Sequence, residues 1–70
     1  MTEYAVVIED AGGNFSAYVP DLPGCVSTGA TVEEVTSNIR EAIALHIESL
    51  REHGEDVPPA TSRASSVRIA

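Results

Sequence analysis

One stretch, Thr31 to His53, constrains this fold more than any other feature. It opens with Thr31-Val32-Glu33-Glu34, a capping box: the threonine side chain caps the helix, and Glu34 reaches back to the backbone at its start. At about 100° per residue, Val32, Val35, Ile39, Ala42, Ile43, Ile47 and Leu50 fall on one face. Gly54 supplies the C-terminal stop. A helix apolar on one side must be covered by a second layer, and the sequence before it offers only strands. Glu3 to Glu9 is β-rich and ends in Asp10-Ala11-Gly12-Gly13-Asn14, a hairpin loop. Phe15 to Val19 returns, and Pro23-Gly24 fits the central positions of a type II turn before the third strand, Cys25 to Gly29. Connections this short predict an antiparallel meander. Beyond Val57 the chain reads as an extended connector over 57–65, and Ser66 to Ala70 alternates Val67 and Ile69 against Arg68 as a candidate fourth strand. The reading is a single α+β domain over 1–70, two-layered βββαβ, with its core in 3–56.

A chain of 70 residues is a thin domain. Its size buries only about 60% of the surface exposed on unfolding, so a staple or a partner is the usual remedy. Its one cysteine, Cys25, cannot form an internal disulfide, and a lone thiol suits a reducing compartment. No run is long enough to span a membrane and no leader pattern opens the sequence, so a cytoplasmic location is expected. Charge is unevenly spread. Residues 1–56 hold all eleven carboxylates and only Arg40 and Arg51, a net −9; Arg63 and Arg68 in the tail leave −7 for the whole chain. Direct nucleic-acid binding is disfavoured.

The first strand is apolar on both faces, since Tyr4, Val6 and Ile8 alternate with Ala5 and Val7. A single helix covers one face only. Val7 and Tyr18 are therefore expected in an open apolar patch that supports self-association or partner docking. The helix's other side carries Glu34, Glu41, Glu48, Glu52 and Glu55. Glu34 and Glu41 lack a helical partner of opposite sign, and Glu48 and Glu52 are a like-charge pair. Such a stripe is either a solvated face or a docking surface for a basic protein.

Catalysis finds little support. Glu9, Asp10 and Asp21 match no calcium-loop pattern, and no carboxylate has a histidine at metal-ligand spacing. His46 falls among the apolar helix positions with no nucleophile to serve, and reads as a core histidine. Cys25 opens a strand rather than a helix, so nothing evident activates its thiol. No metal, no cofactor and no enzymatic activity are expected.

The string Phe15-Ser16-Ala17-Tyr18-Val19-Pro20-Asp21-Leu22-Pro23-Gly24-Cys25, followed by a helix opening Ala30-Thr31-Val32-Glu33-Glu34, closely resembles the HicB antitoxin family, from about Tyr4 through Pro59. That resemblance implies a truncated RNase-H-like fold, with a fourth strand beside the first and sheet order 3-2-1-4. It implies no nuclease activity, because the family's domain lacks the nuclease carboxylates. It further implies a partner: a small basic HicA-type toxin, an mRNA-cleaving ribonuclease, whose RNA-binding and catalytic face the antitoxin covers. The −9 of residues 1–56 suits that task as a mimic of RNA charge. Asp10, Tyr18 and Asp21 around the loop ends, with Glu41, Glu48 and Glu52 on the helix, are the expected partner-binding residues. Many HicB antitoxins continue into a DNA-binding module, and none is expected within these residues. A homo-oligomer, dimer or tetramer, is also expected. The rival reading is an orphan oligomeric scaffold or small-ligand-binding module with the same fold and no toxin.

Overall fold

The computed structural model describes residues 2–70. Three short strands, β1 (Val7–Asp10), β2 (Phe15–Tyr18) and β3 (Val26–Gly29), precede one helix, α1 (Val32–Glu52). The strands form an antiparallel sheet in the order β1-β2-β3. Register places Val7 opposite Tyr18 and Tyr18 opposite Val26, with Ile8, Ala17 and Ser27 in the next row. Helix α1 packs against β2 and β3.

Local chemistry explains the element ends. The β1–β2 loop closes with the Ala11 N–H donating to the Asn14 carbonyl at 2.8 Å, and Asp10 Oδ1 accepts from the Gly12 N–H at 2.9 Å. After β2 the chain makes two successive turns. The Leu22 N–H donates to the Val19 carbonyl (3.1 Å), and the Cys25 N–H donates to the Leu22 carbonyl (3.0 Å). Gly24 takes φ +84° in the second turn, as a type II geometry requires at that position. These turns tuck Leu22 wholly inside the protein.

The helix start follows the capping box with one shift. Thr31 Oγ1 accepts the Glu34 N–H at 3.0 Å, but the Glu34 carboxylate accepts from the Ala30 N–H, one residue further out than the standard box. At the other end, Glu55 N–H bonds the Leu50 carbonyl and Gly54 N–H bonds that of Arg51. This is a Schellman closure, with Gly54 at φ +67°.

The core consists of Ala17, Val19, Leu22, Cys25, Val35 and Ile39, with Tyr4, Val6, Phe15, Ala42, Ile43 and Ile47 packed around it. Gly29 sets the distance between the layers: a Cβ there would lie 2.5 Å from the Val35 backbone nitrogen. Val32, expected on the apolar face, is exposed. It sits in the first turn, beyond the reach of the sheet.

Two expectations change. The first strand is shorter than Glu3–Glu9: residues 3–6 are outside the sheet, because β2 ends at Tyr18, where the turn closed by the Leu22 N–H on the Val19 carbonyl begins. The fourth strand over 66–70, and the order 3-2-1-4 with it, is not formed in the single chain; Val67 and Ile69 are 79% and 84% exposed. The tail is tied down earlier, at Pro58 and at Thr61-Ser62, and among the described residues no side-chain hydrogen bond holds it beyond.

Candidate functional site

The two layers leave two outer surfaces. On the sheet, Ala17 is buried under the helix, so alternation turns Ser16 and Tyr18 outward. Register then aligns Val7, Tyr18 and Val26 in one apolar row across all three strands, with Glu9, Ser16 and Thr28 beside it. Tyr18 is 41% and Val26 64% exposed. The expected patch around Val7 and Tyr18 is therefore present, and Val26 widens it. Sequence reading missed Val26: a hairpin centred on Pro23-Gly24 sets it opposite Asp21, whereas the two successive turns centre the register on Leu22 and bring it opposite Tyr18.

On the helix, Glu41, Glu48 and Glu52 are exposed and share one side with Glu34. The structure thus brings the three expected helix carboxylates together. It does not bring Tyr18 to them, because the helix stripe and the open sheet face lie on opposite sides of the protein. Asp10 stands apart at the β1–β2 turn, where its carboxylate helps to close the loop.

Asp21 has a different setting. Both its oxygens are taken by the chain's own tail. The backbone N–H groups of Thr61 and Ser62 each donate to Oδ2 at 2.9 Å, and the hydroxyls of Thr61 and Ser62 donate to Oδ1 at 3.1 and 2.8 Å. The Ser62 backbone and hydroxyl bonds, joined by those of Thr61, hold the Asp21 carboxyl below its ordinary range against a smaller opposing effect of desolvation. A second tie comes from the Tyr4 hydroxyl, which donates to the Pro58 carbonyl at 2.5 Å. Nothing in the sequence pairs residues forty apart, so this latch was not legible.

Cys25 is buried, and burial pushes its thiol up, away from the reactive thiolate. His53 Nδ1 lies 2.7 Å from the Ser49 carbonyl at the helix end, and His46 is half-buried on α1. Among the described residues no group of three or more His, Cys, Asp or Glu side chains could hold a metal ion, and no helix is long and apolar enough to cross a membrane.

A family model described as the HicB-like antitoxin of bacterial toxin–antitoxin systems matches residues 3–68. The chain belongs to the HicB-like antitoxin family. This HicB-like chain is 46% identical over 57 residues to a UPF0150 protein of Thermoplasma acidophilum, covering 80% of this chain and 83% of that one. It is 42% identical over 55 residues to an uncharacterised 14.9 kDa protein of Haemophilus phage HP1, covering 79% of this chain but 41% of the phage protein. Among solved structures it resembles a chain in the HicA3 and HicB3 toxin–antitoxin complex, with TM-score 0.74 and 35% identity over 84% of this chain and 70% of that one. It also resembles the N-terminal domain of the Burkholderia pseudomallei antitoxin HicB, with TM-score 0.71 and 41% identity over 83% of this chain and 69% of that one.

Proposed function

We propose that this HicB-like chain is an antitoxin that binds a small, basic, RNA-cleaving toxin of HicA type and covers its RNA-binding face without catalysing any reaction. The observation that carries the reading is the likeness, at TM-score 0.74 over 84% of the chain, to a chain solved in a HicA3–HicB3 complex. Charge supports it independently. A body of −9 facing a basic ribonuclease is drawn to the surface that otherwise binds phosphates.

Within this proposal Glu41, Glu48 and Glu52 supply the electrostatic docking face. Tyr18, with Val7 and Val26, supplies apolar contact area, and Asp10 adds charge at the loop end. Asp21 acts through the tail it holds. The fold is a truncated relative of RNase H that works in the cytoplasm as an oligomer and leaves nucleic acid to its partner. The rival reading, an orphan oligomeric scaffold or small-ligand-binding module, draws on the open Val7–Tyr18–Val26 row.

The discriminating experiment expresses this chain with any small basic protein that is encoded beside it. The proposal expects a stable complex and protection of cellular mRNA. A toxic ribonuclease next door that this chain neither binds nor restrains contradicts it; a stable homo-oligomer that takes no basic partner supports the rival.

A further inference from the structure

Two grooves border the N-terminal segment. The first, of about 340 Å³, runs between residues 2–6 and α1 and is lined by Val6, Ile39 and Ile43. The second, of about 470 Å³, separates Tyr4 and Ala5 from Ala60, Ser62 and Arg63 of the tail. Residues 3–6 lie outside the sheet, so no ladder fixes them between these grooves. They are held by the packing of Tyr4 and Val6 against the core and by the Tyr4 hydroxyl, which donates to the Pro58 carbonyl.

Residues 55–62 form a strap between two firm points. At one end is the Schellman closure of α1 at Gly54. At the other is Asp21, in the pair of turns that buries Leu22 wholly. Between them Pro58-Pro59 stiffens the strap, since each ring fixes its own φ. Only Val57, Pro58 and Ser62 of the strap are half-buried, so apolar contact contributes little to holding it. Four hydrogen bonds to one carboxylate contribute more. The Pro58 carbonyl that serves Tyr4 lies three residues before the first of those donors.

We propose that Asp21 is the latch of a two-part closure: by fixing the strap it presents the Pro58 carbonyl to Tyr4, and so keeps residues 3–6 closed over the flank of α1 at Ile39 and Ile43. Strap and segment open together, and on opening the two grooves join into one cleft along that flank. Segments held by few apolar contacts and by solvent-exposed hydrogen bonds open well below the free energy of global unfolding. Coupling arises because both contacts sit on one short, proline-stiffened strap. Without the latch the strap swings about its helix end, and the Pro58 carbonyl moves with it. Asp21 is thus a positioning residue, acting on two grooves that its own side chain does not line. This closure belongs to the single chain and stands apart from any toxin.

Methyl NMR of the full chain tests it, with Asp21→Ala set beside Tyr4→Phe. Both variants are expected to shift the Val6, Ile39 and Ile43 methyl resonances in the same direction, while those of the buried Val35 stay in place. The urea midpoint supplies the second reading. The D21A/Y4F double variant is expected to lose less than the sum of the two single losses, because either change alone already opens the unit. Where Asp21→Ala fails to keep the circular dichroism of α1, Asp21→Asn carries the same comparison. Groove methyls that do not respond to the change at Asp21, with shifts confined to Leu22 and residues 61–62, overturn the closure. Full additivity of the two losses overturns the coupling.

Discussion

Asp21 and Gly29 show how much of this small protein hangs on single side chains, or on the lack of one. Four hydrogen bonds converge on the Asp21 carboxylate from Thr61 and Ser62. Because they favour the charged form, the folded carboxyl titrates below its ordinary value of 3.8. Stabilisation by the latch is therefore fully present above that value and is lost as pH falls through the lower, folded one. Amide exchange at Thr61 and Ser62 is expected to be slow at neutral pH, to become fast relative to the core below pH 3.8, and to be fast at neutral pH in Asp21→Asn. At Gly29 the constraint is space. Gly29→Ala drives a methyl into the Val35 backbone, an overpacking that costs about 1–3 kcal/mol. A lowered urea midpoint with unchanged slope is the expected readout.

At the scale of elements, the helix was the most legible part of the sequence. Thr31, Glu34 and Gly54 are local signals with local effects, and the observed helix ends one residue short of His53. Thr31→Ala removes the bond to the Glu34 N–H and is expected to cost about 1 kcal/mol. In a domain this small that lowers the melting temperature by about 4–8 °C. The meander was legible for the same reason, since Gly12-Gly13 and Pro23-Gly24 fix their turns within a few residues. What the local pattern did not carry is long-range. Residues 3–6 read as strand by composition, but a strand needs a neighbour, and β2 has already turned away at Val19. Leu22 lies between two turn residues and reads as loop, yet it is wholly buried because both turns fold it inward. Val67 and Ile69 alternate as a strand does and still lie outside the sheet, since alternation says which faces differ but not which edge is available.

For the whole molecule, the partition of charge matters more than its sum. Glu41, Glu48 and Glu52 project from the side of α1 turned away from the core, while the apolar row of Val7, Tyr18 and Val26 occupies the opposite outer surface. The expected docking residues thus divide between two sides of one thin sandwich. A folded toxin that takes the helix stripe leaves the sheet row uncovered. The family was legible from the strand–turn–strand–helix string, and the match to residues 3–68 agrees with it. The proposed docking face was legible only as a helical period of glutamates.

The measurement that bears most directly on the proposed antitoxin role is a titration of this chain into a purified small basic ribonuclease of HicA type while cleavage of an RNA substrate is followed. It is repeated at rising salt with the triple variant E41Q/E48Q/E52Q. Wild type is expected to abolish cleavage near stoichiometric amounts. The variant is expected to associate at least tenfold more slowly at low salt, with the difference shrinking as salt screens it. Undiminished cleavage in the presence of excess wild-type chain contradicts the account.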